Sequence, residues 1–466
     1  MLVYGTAVVV TMIKVLMDNR EPAKTMAWAL LLWVLPLVGI ILYYFFGQNT
    51  RKEKVISQRS LDELTKRSML EYVEQKGLSI PEAYRPLMRL YANQSMALPF
   101  KDNEVEIYVD GYEFFPALLS AISKAKHHIH IESYIFADDA LGRLVADTLI
   151  DKAGEGVEVR VVFDDVGSWR SRNAFYEKMR KAGVIVRAFM PVRFPALTSK
   201  ANYRNHRKLC VIDGQVGFIG GMNIALRYVK GTGGQPWRDT HLRVIGGAVY
   251  AIQRAFLTDW YFVDRTLISG RAYYPDTGLS IHNNCLAQVV TSSPVSSWPE
   301  IMQGYMRILM QSRHYVYMES PYFLPTEPIL FAMKTAAVGG VDVRLIMPWR
   351  GDAYIVEWAG RSYVMEAIEA GVKVYLYKAG FIHSKMLICD DNLCCCGSAN
   401  IDFRSFEHDF EANIFFYDTD MAMRMKQVFM ADLARSVAVE ESGKLAHRTF
   451  LKRFWESLLR LLSPLL

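Results

Sequence analysis

Two histidine and lysine pairs stand at one spacing in the two halves of the chain, His206-x-Lys208-x4-Asp213 and His383-x-Lys385-x4-Asp390. Each is followed at the same offset by glycine and asparagine, Gly220 with Asn223 and Gly397 with Asn400. Imidazole, ammonium and carboxamide groups together suit the transfer of a phosphodiester. One histidine attacks phosphorus to form a phosphohistidine, and the other protonates the departing alkoxide and then deprotonates the incoming hydroxyl. The lysines and asparagines stabilise the extra negative charge of the pentacoordinate state. The set holds no cluster of carboxylates for magnesium or calcium, so the chemistry expected needs neither metal nor cofactor. A chain that builds the cluster twice is expected to fold the copies face to face around one phosphate.

The run after each histidine reads as strand, and side chains two apart on a strand share a face, so His206 is expected to converge with Lys208 and His383 with Lys385. Asp213 and Asp390 complete the catalytic signature, but they fall at turns (Asp213-Gly214, Asp390-Asp391-Asn392) and are expected to organise the fold. The small pairs Gly220-Gly221 and Gly397-Ser398 should let the backbone approach an anion while Asn223 and Asn400 donate hydrogen bonds. A nucleophilic imidazole presents one bare nitrogen, so an acidic partner should hold the other. Asp239 and Glu411, 26 and 21 residues past the motif aspartates, are the candidates. His127, His128, His130 and His314 lack a metal-like set of neighbours and read as satisfied or exposed histidines. Gly231-Thr-Gly-Gly234 lacks the Lys-Ser/Thr of a nucleotide-phosphate loop.

The elements that position these groups repeat as well. Ala125 to Phe136 (AKHHIHIESYIF) parallels Ser312 to Phe323 (SRHYVYMESPYF), Gly156-Val-Glu-Val-Arg160 parallels Gly340-Val-Asp-Val-Arg344, and Lys181-Ala-Gly-Val184 parallels Glu369-Ala-Gly-Val372. Helix-like stretches such as Leu141 to Ala153 and Ile355 to Ala370 lie between the strand-like runs. The fold class expected is α/β, with two similar domains related by a pseudo-twofold axis. They span 101–270 (motif 201–228) and 271–440 (motif 378–405), after a helical linker over 51–100.

From Met26 to Phe46 run 21 residues without a charge, enough to cross a hydrocarbon core. Residues 1–17 are apolar apart from Lys14, and the two segments read as a transmembrane helical hairpin within residues 1–50. The basic residues Arg51, Lys52, Lys54, Arg59, Lys66 and Arg67 argue for catalytic domains on the cytoplasmic side. The six cysteines show no C-x-x-C spacing and read as reduced, buried thiols. Residues 441–466 form a basic, amphipathic end whose stripe of Leu451, Phe454, Trp455, Leu458, Leu459 and Leu462 suits a lipid interface or the protein's own surface. A net charge of +6 over 466 residues does not choose among anionic partners.

The paired motifs with their Gly and Asn followers resemble the phospholipase D superfamily. Within it, the apolar hairpin with Asn19-Arg-Glu-Pro22, the contexts Tyr203-Arg-Asn-His-Arg-Lys208 and Phe381-Ile-His-Ser-Lys385, and the terminal Leu461-Leu-Ser-Pro-Leu465 are similar to bacterial cardiolipin synthases. The resemblance implies phosphatidyl transfer between two phosphatidylglycerol molecules, giving cardiolipin and glycerol, with His206 as nucleophile and His383 as acid and base. It implies a multi-pass protein of the bacterial inner membrane, acting on phosphatidylglycerol and cardiolipin at the lipid bilayer without nucleic acid; a homodimer is left open. The alternatives are a hydrolase that releases phosphatidic acid and, from another class, a nucleic-acid phosphodiesterase. No positive feature supports phosphatidylserine synthesis.

Overall fold

The computed structural model describes residues 2–18, 22–47, 64, 78, 80–192, 202–275, 285–445 and 448–464. Fourteen strands carry the repeat. The first seven are β1 (Asn103–Tyr108), β2 (His128–Ser133), β3 (Glu158–Asp164), β4 (Ile185–Phe189), β5 (Leu209–Ile212), β6 (Val216–Gly220) and β7 (His241–Gly246). The second seven are β8 (Ala287–Ser292), β9 (Tyr315–Glu319), β10 (Asp342–Pro348), β11 (Lys373–Tyr377), β12 (Met386–Cys389), β13 (Leu393–Gly397) and β14 (Asp409–Phe416). The first sheet runs β1-β7-β6-β5-β2-β3-β4, and the second runs β8-β14-β13-β12-β9-β10-β11, the same order displaced by seven. In both, the two pairs joined by helical crossovers are parallel (β2/β3/β4 and β9/β10/β11) and the rest antiparallel.

The sheets face each other. Their inner faces, with the long helices Ala248–Asp264 and Thr419–Leu433, enclose one apolar core shared by both halves, and each outer face packs on its own helices in a separate core. Alternation on β13 shows the partition directly: Cys394 and Cys396 enter the shared core while Cys395 enters the outer core of the second half. All six cysteines are buried free thiols.

Two buried arginines pin the halves together. Arg207 pairs with Asp259 and donates to the carbonyls of Glu411 and Ser292 across the interface. Arg238 of the first half pairs with Asp432 of the second at 2.6 Å and lies 3.9 Å from Glu319. Glu132 is next to last in the parallel run of β2 and Glu319 is last in that of β9, so the repeated Glu-Ser of the sequence marks buried acids at equivalent places.

The segment before the first sheet is not merely connecting material. Helix Arg85–Ser95 sends Leu87, Met88 and Tyr91 into the outer core of the second half, and Pro99–Phe100 extends the second sheet beside β8. Near the start, Leu2–Met17 packs on the next helix through Val15, Leu32 and Tyr43. The long apolar run expected as one span divides at Pro36, which has no amide hydrogen to give, into helices Pro22–Val34 and Pro36–Leu42. Among the described residues no helix is long and apolar enough to cross a membrane. The basic residues from Arg51 to Arg67 lie outside the described residues.

Candidate active site

Each motif histidine sits between a short strand that pairs with the other half and a long one in its own sheet. Arg204–Asn205 runs parallel to Asp409–Phe410 at the start of β14, and His206 N–H then donates to Phe410 O at 2.9 Å. The second motif mirrors this: Phe381–Ile382 runs parallel to Trp237–Arg238, and His383 N–H donates to Arg238 O at 2.7 Å. The His-x-Lys triplets are therefore not strand, as the local pattern suggested, but the irregular crossings between the two halves. The pairs still converge, because the chain folds back there and each lysine Nζ donates to the carbonyl of its own histidine.

Both imidazoles line one central pocket of about 870 Å³, together with Asn223 and Asn400. Each is held by a carboxylate from the opposite half. Glu411 of β14 lies 2.9 Å from His206 Nδ1, and Asp239, just before β7, lies 2.6 Å from His383 Nδ1. The carboxylates are fixed in turn, Asp239 by the Thr240 N–H at 2.8 Å and Glu411 by the Ser398 hydroxyl. With Nδ1–H donated to the carboxylate, Nε2 of each ring keeps its lone pair.

The electrostatics agree with neutral imidazoles. Burial lowers His206 to about 4 and His383 to about 3, with the lysines adding to the fall and the two carboxylates opposing it. Burial also lowers Lys208 to about 7 and Lys385 to about 8. Burial alone would raise Glu411 and Asp239, yet both are held below the ordinary carboxylate range, by His206 and Lys208 beside the first and by Lys385 and His383 beside the second.

Asp213 and Asp390 do not line the pocket. Each has a left-handed backbone (φ 54° and 49°) and its carboxylate gathers three successive N–H groups at the start of the strand next door. Asp213 accepts from Lys126, His127 and His128 at 2.7–2.9 Å, and Asp390 from Arg313, His314 and Tyr315 at 2.8–2.9 Å. They lock β5 to β2 and β12 to β9, so their part in any chemistry is indirect. The glycines also have a reason within the fold. A Cβ on Gly221 would lie 2.1 Å from Asp239 Oδ1, and one on Gly220 or Gly397 would strike the neighbouring strand, so these positions make room for the orienting carboxylate and its strand. Asn223 is engaged by its own surroundings, accepting from Ile135 N–H at 3.0 Å and donating to Tyr228 OH at 2.6 Å. The Asn400 side-chain oxygen is buried without a partner.

Several lining groups were not singled out from the sequence. Arg227 lies over the Trp237 ring at 5.1 Å, Arg404 pairs with Asp409 at 3.1 Å, and Tyr134 sets its ring edge-on to His206. The two arginines did carry a signal: Asn223-Ile-Ala-Leu-Arg227 and Asn400-Ile-Asp-Phe-Arg404 extend the repeat by four residues. Among the described residues no group of three His, Cys, Asp or Glu side chains has the geometry to hold a metal ion. Of the other histidines of the repeat, His127 and His314 are exposed, whereas His128 and His130 are buried and contact Gln253, and His130 stacks on Phe256.

Residues 118–232 and 305–433, one stretch in each half, match the family described as "Cardiolipin synthase, PLD-like domain", and residues 6–48 match "Phospholipase D-nuclease N-terminal". A cardiolipin synthase of Oceanobacillus iheyensis is 38% identical, over 97% of this chain and 95% of that protein. Cardiolipin synthase 2 of Bacillus cereus is 40% identical, over 97% of this chain and 88% of its own length. The crystal structure of a phosphatidylserine synthase of Haemophilus influenzae superposes with a TM-score of 0.64 at 15% identity, covering 82% of this chain and 98% of that one, which shows the shared two-domain fold. On the duplicated sheets, the facing imidazoles and this similarity over nearly its whole length, the chain belongs to the cardiolipin synthase family of phospholipase D-like phosphatidyltransferases.

Proposed function

We propose that the pocket moves a phosphatidyl group from one phosphatidylglycerol to the glycerol hydroxyl of a second, giving cardiolipin and glycerol. The observation that carries this reading is the crossed arrangement of two imidazoles, each oriented by a carboxylate of the other half, around one pocket, with a buried lysine beside each. By similarity with the superfamily, His383 takes up a proton on Nε2 as the anionic phosphodiester binds beside it; His206 Nε2 then attacks phosphorus, the bond to the glycerol oxygen breaks, and His383 gives that proton to the oxygen. The hydroxyl of the second lipid then loses its proton to His383 and attacks, and the phosphorus–nitrogen bond breaks. Lys208 and Lys385 stabilise the pentacoordinate charge, and Asn400, Arg227 and Arg404 contact the phosphate or the glycerol. One phosphodiester replaces another, so the exchange is nearly thermoneutral and uses no nucleotide.

The two units are taken as 101–270 and 271–440, preceded by an N-terminal hairpin in the bacterial inner membrane with the catalytic halves on the cytoplasmic side. In support, Val9, Trp33 and Leu37 are exposed on the N-terminal helices, and the 21-residue uncharged run is roughly 30 Å long as helix. The test is product analysis with purified protein and phosphatidylglycerol in mixed micelles. Equal amounts of cardiolipin and glycerol support the reading, whereas phosphatidic acid as main product makes the protein a hydrolase with the same site.

A further inference from the structure

Beside the central pocket, on the side of the second half, the repeat leaves an apolar space. This partly open space, about 560 Å³ counted with the solvent at its mouth, is walled by Phe323, Met347, Val364, Leu376, Val439 and Leu445. It adjoins the catalytic pocket, since Tyr322, Ala353 and Val356 line both. Its few polar groups are engaged with one another at the rim, where Glu357 accepts from Lys444 and Arg361 at 3.0 Å each.

The first half shows what the same place looks like when filled. Register along the repeated Gly-Val-acid-Val-Arg run makes Phe163 the counterpart of Met347, and register from the Ala-Gly-Val repeat makes Tyr176 the counterpart of Val364. Phe163 and Tyr176 are buried and stacked, with ring centroids 3.8 Å apart and planes 2° from parallel, and Tyr176 OH donates to Phe136 O at 2.8 Å. The adjoining loop is tied down, with Ser168 and Ser171 hydroxyls donating to Tyr134 O and Phe136 O. Replacing two stacked rings by a methionine and a valine opens the cavity in one half of a symmetric body.

The helix that walls this cavity, Tyr354–Glu369, also carries the C-terminal helix Phe450–Arg460 on its outside. Its inward side holds Glu456 and Leu459, both buried, with Arg460 donating to Glu366 at 2.9 Å, and its outward side carries Phe450, Leu451 and Phe454, all 57% or more exposed, beside the exposed Lys452 and Arg453. A helix whose outward side joins large apolar side chains to lysine and arginine suits the surface of a bilayer.

We propose that this cavity is the site for an acyl chain of the phosphatidyl substrate, drawn in from a bilayer lying against the C-terminal helix. The inference rests on the phosphatidyl-transfer reading and adds where the hydrocarbon goes: beside the second half, while the phosphate sits between the imidazoles. An apolar chain and an apolar wall attract in proportion to the area removed from water, so filling the space with side chains penalises long chains selectively.

The double substitution Met347→Phe with Val364→Tyr rebuilds the stacked plug of the first half without touching the catalytic groups. With dioleoyl phosphatidylglycerol its kcat/KM is expected to fall about tenfold or more, as for loss of two or more buried methylenes, while dihexanoyl phosphatidylglycerol is turned over nearly as by the unaltered protein. An equal effect on both lipids in a variant of unchanged Tm, or no effect on either, overturns the proposal. A second measurement stands independently of the variant's folding: a phosphatidylglycerol with a terminal acyl diazirine should label peptides around Met347, Val364 or Val439 of the unaltered protein, and labelling confined elsewhere overturns it. Failure of the unaltered protein to form cardiolipin from either lipid would instead sink the transfer reading itself.

Discussion

Replacing Asp239 by Asn and Glu411 by Gln, one at a time, probes the crossed pairing with almost no change of shape. Both carboxylates are buried, and they lie 2.6 Å and 2.9 Å from the Nδ1 atoms of His383 and His206. When an imidazole gains positive charge during transfer, a full negative charge about 4 Å from its centre stabilises it by about 4 kcal/mol at an effective dielectric constant near 20. Removing that charge should slow the chemical step by about a thousandfold. An amide can also turn its NH₂ toward Nδ1, placing the ring proton on Nε2, the atom that must attack or accept, so the loss should reach about 10³–10⁴. The assay is cardiolipin formation under saturating phosphatidylglycerol, with a control substrate whose leaving group, p-nitrophenolate, needs no proton. Asp239→Asn, which disturbs the acid, should be largely rescued by that substrate in the first step, whereas Glu411→Gln, which disturbs the nucleophile, should not. Losses below about tenfold in both variants would refute the orienting roles.

Three further outcomes follow from the same geometry. Gly221→Ala places a Cβ against the Asp239 carboxylate and should cut turnover by about a hundredfold or more while Tm falls little, and normal turnover would show that the carboxylate has room to move. Arg238→Met leaves Glu319 and Asp432 buried without their cation and should destabilise the chain by about 3–5 kcal/mol in thermal unfolding, and a change within error would mean the pin between the halves is not energetic. For pH, burial lowers His128 to about 2, His130 to about 3, His206 to about 4 and His383 to about 3, from an ordinary 6.5. The unfolded chain therefore binds more protons as pH drops through 6.5, so the stability these neutral rings supply is complete above that value and is lost toward pH 4, at about 1.4 kcal/mol per pH unit for each. Denaturant titrations between pH 7 and 5 should show the slope, His128→Gln with His130→Gln should flatten it, and a flat curve for the unaltered chain would contradict the burial argument.

The repeat and its chemistry are written locally, and so they were legible: two identical spacings, a parallel order of strand-like and helix-like runs, and a paired set of His, Lys and Asn. What local pattern could not give is which half completes which site. Residues 204–205 and 381–382 are each too short to form a strand alone; they are strand only because Asp409–Phe410 and Trp237–Arg238 of the opposite half pair with them. That long-range pairing breaks the two-residue alternation read through His206 and His383, and it also decides that Glu411 faces His206 and Asp239 faces His383. The reason for Gly221 is likewise non-local, since the atom it spares belongs to Asp239, eighteen residues on. Arg227 and Arg404 were readable as a repeat but lie one helical turn past the asparagines, outside the span of the motif itself. The apolar run from Met26 to Phe46 was plain in composition, while its division at Pro36 follows from one missing N–H.

The central claim, that two imidazoles from two halves serve one phosphate in turn, is tested most directly by trapping the covalent intermediate with phosphatidylglycerol labelled in the phosphorus it donates. Quenching the unaltered protein in alkaline denaturant should yield an acid-labile, base-stable phosphohistidine at His206, retained when His383 is changed to Ala and the labelled donor is the p-nitrophenyl ester, and absent when His206 is changed to Ala. Label that survives at its full level in the His206 variant, or that resides on neither histidine, would contradict the account.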